Sequence, residues 1–228
     1  MASPCPSLVR EAARWAAAHL LVGVDEVGRG PLAGPVVAAA VVFPPKVTRL
    51  NGLRDSKVLS PKKREKLTVK IRDRALCFAL GAASTREIDR FNIRVASAIA
   101  MRRAVGRVLG YLHAHGASAT PGESVHIIID GLPLLELGYP HEALIDGDVH
   151  CASIAAAACV AKTARDDLMC RLARRHPGYG WDTNAGYATE FHCEALDRLG
   201  PTRHHRMSFE PIAQLKLFTC QPSAGTYT

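Results

Sequence analysis

The sequence predicts an α/β fold in which a central β-sheet is flanked by helices. Short apolar runs rich in β-branched residues alternate with longer segments in which apolar residues recur at helical spacing. Glycine and proline cluster between these runs, where turns are expected. The 228 residues suit one compact domain, and the sequence contains neither an internal repeat nor a low-complexity segment.

Two strands joined by a tight loop are predicted first. Residues 19–24 form a short apolar run that leads into Asp25 and Glu26, and residues 35–43 form a longer run rich in valine. Between them, residues 28–34 contain three glycines and a proline, a composition typical of turns. The first part of the sheet is therefore predicted as strand, tight loop and strand.

A helix, a strand and a longer helix are predicted next. Ser60 suits a helix N-cap and Pro61 the first helical position, and the charged run 62–70 continues the helix. Residues 77–83 alternate weakly and are predicted to form a third strand. Apolar residues then recur at helical spacing over residues 93–113, which predicts a long helix.

Strands and helices are predicted to alternate in the rest of the chain. Residues 125–129 form a β-branched run, typical of a buried central strand, and it ends at Asp130. Residues 143–145 suggest a short fifth strand. Residues 153–175 are alanine-rich and then charged, which predicts a helix that starts buried and ends in solvent, and residues 189–199 predict another helix.

The charge balance favours a polyanionic partner. The chain has 29 Lys and Arg against 21 Asp and Glu, a formal net charge of +8, and its pI is about 9.3. A basic surface attracts nucleic acid, and each cation placed against a phosphate releases a counterion. The same charge also serves solubility alone, so composition leaves both interpretations open.

The seven cysteines favour a reducing compartment. Their number is odd, they are widely spaced and no C-x-x-C pair occurs, so neither a disulfide framework nor a zinc site is indicated. Cys159, in an alanine-rich run, is predicted to be a small core residue. Because neither a secretory leader nor an apolar run of membrane-spanning length is present, we expect a cytoplasmic protein without a membrane partner.

The pair Asp25-Glu26 is a candidate metal site. Two adjacent acids next to a buried strand repel each other and lose solvation, which a bound cation offsets. Neighbouring strand residues point to opposite faces, so both can reach one ion only if the chain bends at Glu26, as the following Gly28 permits. A solvated surface pair is the alternative.

Further acids follow other predicted strands. Asp130 ends the strand 125–129, and Asp146 and Asp148 follow the strand 143–145. Acids that converge where strands leave the sheet could bind two hard divalent cations, with Mg²⁺ or Mn²⁺ favoured over zinc because His and Cys lack ligand spacing. Two such ions about 4 Å apart suit in-line phosphoryl displacement.

Seven blocks of sequence, in order, resemble bacterial ribonuclease HII, and together they extend over residues 20–209. These blocks are DEVGRGPLAGPVV from Asp25, DSKVLS from Asp55, EIDRFNI from Glu87, IIDG from Ile128, AKTARD from Ala161, GYAT from Gly186 and HRMSF from His205. The resemblance implies an RNase H-like fold with a mixed sheet and an endonuclease that acts on RNA/DNA hybrids. It further implies cutting on the 5′ side of single ribonucleotides embedded in duplex DNA, which leaves a 3′-hydroxyl and a 5′-phosphate.

The resemblance also implies four metal-binding carboxylates for two divalent ions. Three of them correspond to Asp25, Glu26 and Asp130. The fourth usually lies in a Lys-Gly-Asp sequence, and here that position is Asp148, with Asp146 in place of the family's lysine. This departure leaves a second interpretation open, in which Asp146 also takes part in metal binding.

Ribose recognition is implied for the glycine-rich loop. A nuclease specific for RNA has to sense the 2′-hydroxyl. Gly28 and Gly30 let the backbone approach a sugar, and Arg29 can engage phosphate. In the family this loop acts with a tyrosine, here Tyr187, and the residue two positions earlier, often lysine in relatives, is Ala185. The alternatives are a plain tight turn and a core aromatic residue.

Other phosphate contacts are implied more loosely. Ser56, Lys57 and Lys162 correspond to substrate-binding positions, although a Ser-Lys pair in a loop is often simply solvated. Arg165 shares a helix face with Lys162, with an ion pair to a nearby acid as the alternative. At the last block, His205 and Arg206 and the preceding His204 are candidates for contacting the DNA strand, and a capping or core hydrogen bond is the alternative for His205.

Three segments are expected: an N-terminal extension (1–18), a catalytic domain that includes the C-terminal helices (19–213) and a tail (214–228). Residues 214–218, Gln214 to Phe218, resemble the short motif by which replication proteins dock into a sliding clamp, and packing of the last helix is the alternative. We expect a monomer. The other function classes left open are another nuclease of the same superfamily, such as a junction resolvase, and a catalytically silent nucleic-acid-binding module.

Overall fold

The computed structural model describes residues 6–45, 47–48, 50, 52–53, 59–117 and 119–214. Five strands and seven α-helices lie in these ranges, with one 3₁₀ turn at Leu135–Leu137. The strands are β1 (Leu20–Val27), β2 (Val36–Val42), β3 (Cys77–Ala83), β4 (Val125–Asp130) and β5 (Glu142–Leu144). The helices are α1 (Val9–Ala16), α2 (Pro61–Arg74), α3 (Thr85–Ala114), α4 (Gly147–His150), α5 (Ala152–Arg175), α6 (Trp181–Asn184) and α7 (Glu190–Leu199).

The five strands form one mixed sheet in the order β3-β2-β1-β4-β5. β1, β2 and β3 are antiparallel neighbours, whereas β4 runs parallel to β1 and β5 runs parallel to β4. Val24 pairs with Ile129 across the parallel register. The predicted α/β fold with a mixed central sheet is therefore confirmed, and β1 occupies its centre.

Helices cover both faces of the sheet. The β2 residues Ala38 and Ala40 belong to the core cluster that includes α3, while Ala39 and Val41 belong to the cluster that includes α2 and α5. Side chains alternate along a strand, so a strand covered on both faces is apolar throughout. This explains why all seven residues of β2 are buried.

The small residues at the start of α5 let this helix lie close to the sheet. Its residues 152–161 are all buried, Cys159 among them, and Arg174 and Arg175 near its end are exposed. The predicted change from buried to solvated along this helix is confirmed. The five described cysteines are free. Among the described residues, no helix is long and apolar enough to cross a membrane.

Two predicted boundaries were wrong. The helix expected over 93–113 begins at Thr85, because Ser84 and Glu87 form a capping box at its start. The helix is interrupted at Asn92, whose φ of 69° breaks the apolar periodicity at that point. β1 also continues to Val27, three residues beyond the predicted end of the first strand.

The close approach of α3 to β3 depends on Gly81. A Cβ atom built at Gly81 would overlap the backbone oxygen of Ala100. Because neither backbone segment can give way without repacking, we expect Gly81→Ala to lower the free energy of unfolding by about 2 kcal/mol. Gly110 lies in the same helix with open space around its Cα, so Gly110→Ala is expected to be neutral or stabilising. Urea unfolding of both variants measures the difference, and equal effects would contradict this packing account.

Candidate active site

The predicted acidic residues meet at one edge of the sheet. Because β1 and β4 are parallel neighbours with Val24 opposite Ile129, the following residues Asp25 and Asp130 come to adjacent positions. The helix α4 begins three residues after β5 and carries Asp148 in its first turn. The topology thus brings acids from three separate segments of the chain together.

Each of three acids accepts a hydrogen bond from a nearby donor. Asp25 Oδ1 accepts from the Glu26 N–H at 2.7 Å, and Asp130 Oδ1 accepts from the Gly147 N–H at 2.7 Å. Glu26 Oε1 accepts from the Arg29 guanidinium at 3.1 Å. In these rotamers, no three His, Cys, Asp or Glu side chains of the described residues are arranged as a metal cluster.

The electrostatics of the two strand acids show how crowded this edge is. Burial raises the pKa of Asp25 well above its usual range, and the nearby charges of Glu26, Asp130 and Asp148 raise it further. Burial also raises the pKa of Glu26, although the guanidinium of Arg29 opposes this shift. Mutual repulsion of buried carboxylates is the condition that a cation relieves.

The side chains of Asp146 and Asp148 are placed differently. Asp148 is buried, at 9% exposure, and its charge acts on Asp25. Asp146 is exposed and takes a left-handed conformation, with a φ of 54°, directly before α4. Its position at this turn provides a geometric reason to place Asp148, and not Asp146, with the strand acids.

The expected bend at Glu26 is absent. β1 keeps regular pairing with β2 past Glu26, since Glu26 pairs with Ala38 and Val27 with Val37. Both Asp25 and Glu26 nevertheless interact electrostatically with Asp130. The positive φ occurs two residues later, at Gly28, so the chain turns after the acids and not between them.

The donor set suits a hard divalent cation. Asp25, Glu26, Asp130 and Asp148 offer only carboxylate oxygens, the ligand type that Mg²⁺ and Mn²⁺ prefer. The raised pKa values of Asp25 and Glu26 reflect negative charges held close together in a buried setting. In kind and in charge, these residues fit the divalent metals expected from the sequence.

The buried residue Arg206 stabilises the glycine-rich loop by hydrogen bonds to its backbone carbonyls. Its guanidinium donates to the backbone oxygens of Gly28, Arg29 and Gly34, with distances of 2.6 Å to Arg29 and 2.9 Å to Gly34. Burial lowers the pKa of Arg206 to about 9, and the nearby Arg165 contributes. The expectation that Arg206 contacts the DNA strand was therefore wrong, because this residue lies in the protein interior.

A second buried arginine supports the same loop. Arg165 donates to the backbone oxygens of Ala33, Pro35 and Ala185, at 3.0, 3.0 and 2.9 Å. It is thus a structural residue, and no ion pair joins it to an acid within the described part of the chain. It is buried, whereas Lys162 is partly exposed, so the two do not form a joint phosphate-binding surface. A side chain at Gly28, whose φ is +87°, would collide with Arg165.

This support turns the loop amides outward. Carbonyl and N–H groups of one trans peptide point in opposite directions. Because the carbonyls of Gly28 and Arg29 face Arg206, the N–H groups of Arg29 and Gly30 point away from it. Within the described part of the chain, neither amide donates a hydrogen bond. Two adjacent amides are therefore available to a ligand.

Tyr187 lies beside these amides. A Cβ atom built at Gly30 would be 3.7 Å from Tyr187 Cε1, and the Tyr187 side chain is 48% exposed. The alternative that Tyr187 is a core aromatic residue is therefore excluded. Its backbone is fixed by Asn184, whose carbonyl accepts the Tyr187 N–H at 2.9 Å, and by His192, whose Nδ1 bonds the Tyr187 oxygen at 2.8 Å.

Of the other expected phosphate contacts, the structure describes Lys162 but not Ser56 or Lys57. Lys162 is partly exposed and pairs with Asp166 at 2.6 Å, and Asp166 also pairs with Arg64 at 2.6 Å. Ser56 and Lys57 lie outside the described residues. The bracing role of the two buried arginines was not predicted, because no sequence pattern distinguishes an arginine that binds carbonyls from one that binds phosphate.

His205 is a core residue, so it does not contact DNA from the surface. It is buried, its Nδ1 bonds the Thr202 N–H at 2.8 Å, and its Nε2 lies 3.2 Å from His192 Nε2. The rings of Tyr179 and Trp181 pack around it, with centroids at 5.0 and 5.2 Å. His204 is only partly buried.

Burying His205 is expected to make stability depend on pH. Burial, together with the nearby His192, lowers the pKa of His205 from 6.5 to about 4. The folded state therefore binds fewer protons than the unfolded state between these values. The neutral His205 ring therefore contributes on the order of 3 kcal/mol to the free energy of unfolding. This contribution is complete above about pH 6.5 and is lost as the pH falls towards 4. Urea unfolding of wild type and His205→Asn across this range measures it; parallel pH profiles would contradict the assignment.

Comparison with known proteins places the chain in a family. The family model described as Ribonuclease HII matches residues 22–212. Ribonuclease HII of Synechococcus sp. (strain JA-3-3Ab) is 47% identical over 214 residues, which cover 92% of this chain and 91% of that protein. Many further relatives at similar identity carry the same name.

Solved structures agree on the fold. The ribonuclease H2 from Pyrococcus horikoshii OT3 superposes with a TM-score of 0.69 at 23% identity, covering 89% of this chain and all of that one. Bst-RNase HIII in complex with Mn²⁺ gives 0.68 at 19% identity, with coverages of 92% and 73%. The RNase H-like fold is thus confirmed. With the family model matched over most of its length, this chain belongs to the ribonuclease HII family and is a ribonuclease H, a phosphodiester hydrolase.

Proposed function

We propose that this ribonuclease H cuts the RNA strand of RNA/DNA hybrids and also cuts 5′ of single ribonucleotides embedded in duplex DNA. The observation that carries the proposal is the juxtaposition of two features at one sheet edge. Asp25 lies on β1, which leads directly into the turn at Gly28, so the carboxylates adjoin the loop with outward amides. Chemistry and ribose recognition would then occur side by side, which suits the removal of misincorporated ribonucleotides from DNA.

The metal ligands we propose are Asp25, Glu26, Asp130 and Asp148, with Mg²⁺ or Mn²⁺ as the two ions. When bound, the ions supply Lewis-acid stabilisation to the charge that develops on the phosphate oxygens during hydrolysis. The carboxylates would hold them, and the burial and the neighbouring carboxylates that together raise the pKa of Asp25 support this assignment. The Mn²⁺ bound by the structural relative Bst-RNase HIII is consistent with it.

Ribose recognition is assigned to Gly28, Arg29, Gly30 and Tyr187. The free amides of Arg29 and Gly30 suit an oxygen of the ribose or of its phosphate, and the Tyr187 ring lies within contact of Gly30. The Arg29 side chain is half-exposed and is available to a phosphate when its contact with Glu26 is released. Polar groups built around a hydroxyl reject a substrate that lacks it, since they would otherwise be left unpaired.

The remaining proposed contacts are electrostatic. We assign Ser56, Lys57 and Lys162 to backbone phosphates of the duplex, with the net charge of +8 attracting the substrate. The Lys162 side chain is held by Asp166, which fixes its direction along α5. Because these contacts concern the phosphate backbone, they would add affinity without distinguishing one base from another.

Tyr187 is expected to determine selectivity more than fold. Its side chain is half-exposed, so Tyr187→Ala removes little core packing but removes the ring beside Gly30. We expect cleavage at a single ribonucleotide to fall about 100-fold in kcat/KM, with a change in the melting temperature of only a few degrees. Steady-state kinetics test this; Phe191→Ala, a comparably exposed aromatic on α7, is the control. Equal losses in both variants would contradict the assignment.

A cleavage panel tests the proposed function. The protein is incubated with Mg²⁺ or Mn²⁺ and one of four labelled substrates: an RNA/DNA hybrid, a DNA duplex with one ribonucleotide, an all-DNA duplex and a branched DNA junction. Cleavage confined to the first two supports the proposal. Cleavage of the junction favours a resolvase, and binding without any cleavage favours the silent module.

Two proposals about partners rest on sequence. The segment Gln214 to Phe218 is proposed to dock into a sliding clamp, and all of it except Gln214 lies outside the described residues. A pull-down with purified clamp that is unaffected by Leu217→Ala and Phe218→Ala would remove this proposal. We also propose that the protein is cytoplasmic and that it acts as a monomer. Sedimentation of the purified chain tests the oligomeric state.

A further inference from the structure

The N-terminal helix α1 makes a buried connection to the start of α5. Glu11, on α1, is fully buried, and its Oε1 accepts hydrogen bonds from the N–H and the Oγ of Ser153, each at 2.7 Å. The thiol of Cys151 lies 3.3 Å from the same oxygen. The match to the family model begins at residue 22, so this helix precedes the matched segment.

The buried carboxylate has a physical reason to be there. The first amides of a helix lack partners within the helix, and negative charge is favourable at that end. Ser153 is the second residue of α5, and its N–H is satisfied by Glu11. The Ala152 N–H is satisfied in the same way by the Ser7 carbonyl at 3.1 Å. The N-terminal segment therefore caps α5.

Through Ser153, this cap reaches the strand that carries two of the acids. A Cβ atom at Gly23 would overlap the backbone of Ser153, so α5 begins in direct contact with β1. Gly23 precedes Asp25 by two residues. The position of the Ser153 backbone therefore influences the position of β1 next to Asp25 and Glu26.

Through Cys151, the same cap reaches the other acids. The Cys151 N–H donates to the Gly147 carbonyl at 2.8 Å, and the Gly147 N–H donates to Asp130 Oδ1 at 2.7 Å. Asp148 lies between these two bonded positions. The first of these is a backbone–backbone hydrogen bond and the second joins a backbone N–H to the Asp130 side chain, so a shift at Cys151 is transmitted to the turn that carries Asp148.

The opposite flank of that turn is also tied to α1. Arg10 forms an ion pair at 2.6 Å with Glu142, the first residue of β5, and Arg14 lies 3.6 Å from the same carboxylate. Arg14 also contacts His126 of β4 at 3.1 Å. Residues 145–150, which include Asp148, are thus bracketed by attachments to one helix, at Glu142 before them and at Cys151 and Ser153 after them.

We propose that Glu11 is a positioning residue for the carboxylate site. By fixing the start of α5, Glu11 holds Asp148 in place relative to Asp25 and Asp130, and so sets the affinity for divalent cations. This inference rests on the proposed function, because it takes these acids as the metal ligands. It adds a contribution from a helix that precedes the segment matched by the family model.

The test measures Mn²⁺ binding to the full-length protein by calorimetry, separately from cleavage. Glu11→Ala is expected to bind Mn²⁺ about tenfold more weakly, the scale of effect seen for residues that orient metal ligands. Glu11→Gln is expected to bind Mn²⁺ as tightly as wild type, because its amide oxygen can accept both bonds from Ser153. The other oxygen of Glu11 has no hydrogen-bond partner among the described residues, so replacing it removes no bond.

The matched control is Leu112→Ala, which removes buried packing in the last turn of α3. The next strand after α3 in the chain is β4, and Asp130 lies at the far end of that strand. If the role of Glu11 is purely structural, both Glu11→Ala and Leu112→Ala lose stability, and both bind Mn²⁺ with the affinity of wild type. This result would overturn the inference. If Glu11→Ala fails to fold, Ser153→Ala, which keeps the backbone bond, is expected to weaken Mn²⁺ binding about threefold; unchanged affinity there would equally overturn it.

The two proposals fail in different ways. If wild-type protein binds no Mn²⁺, or if Asp130→Asn binds it as well as wild type does, the proposed metal site itself is wrong. If wild type binds Mn²⁺, Asp130→Asn does not, and Glu11→Ala binds normally, only the positioning role of Glu11 is wrong.

Discussion

Asp130→Asn is expected to lower the rate of hybrid cleavage by about 10³-fold while leaving the fold intact. The change removes one negative charge from the site, and a loss of several kcal/mol of transition-state stabilisation corresponds to this factor. The asparagine carbonyl can still accept the hydrogen bond from the Gly147 N–H, which measures 2.7 Å in the wild type. Single-turnover cleavage at saturating Mn²⁺ measures the effect.

The matched control is Asp146→Asn, which removes a charge at the exposed turn before α4. It is expected to retain cleavage within a few-fold of wild type, because Asp146 is placed apart from the strand acids. A large loss for Asp146→Asn would instead make Asp146 a metal ligand. If Asp130→Asn cleaves at nearly the wild-type rate, the carboxylates do not form the site of metal-dependent cleavage.

Arg206→Met is expected to destabilise the protein by about 3 to 5 kcal/mol and to abolish selectivity for ribonucleotides. Its guanidinium is fully buried and satisfies the carbonyls of Gly28, Arg29 and Gly34. Methionine fills much of the space but leaves these three carbonyls without donors, at about 1 to 3 kcal/mol each where they stay buried. Thermal unfolding and the ratio of cleavage at ribose-containing to all-DNA duplex measure the two effects.

The control for this change is Arg203→Met, at an exposed arginine three residues earlier. It loses the same charge without uncovering buried groups, so its stability is expected to remain within about 0.5 kcal/mol of wild type. If Arg206→Met were as stable as this control, the loop would not depend on the arginine. A purely electrostatic role in DNA binding would make the two variants equal in affinity for duplex.

The three central strands could be predicted because they are largely buried between layers of helices. A strand buried in this way has to be apolar throughout, and β2 and β4 show such runs in the sequence. The acids could be located because Asp130 ends one of these runs and Asp25 follows another. Their convergence depends on the parallel pairing of β1 with β4, which was not predicted, because the family resemblance implied a mixed sheet without the order of its strands.

The unpredicted features depend on contacts between distant parts of the chain. Arg206 binds carbonyls about 170 positions earlier, and Glu11 caps a helix 142 positions later. Neither partner leaves a local pattern, so both residues are indistinguishable in the sequence from solvated charges. Asn92 was missed for a different reason: its left-handed conformation interrupts a helix that the flanking residues otherwise continue.

In the proposed mechanism, the carboxylates and the loop beside them act together on a ribose in duplex DNA. The most direct test is to map the cut in a DNA duplex that carries one ribonucleotide, with both strands end-labelled and Mg²⁺ present. We predict one cut, on the 5′ side of the ribose, that leaves a 3′-hydroxyl and a 5′-phosphate. Cutting at other positions, or equal cutting of the matched all-DNA duplex, would contradict the account.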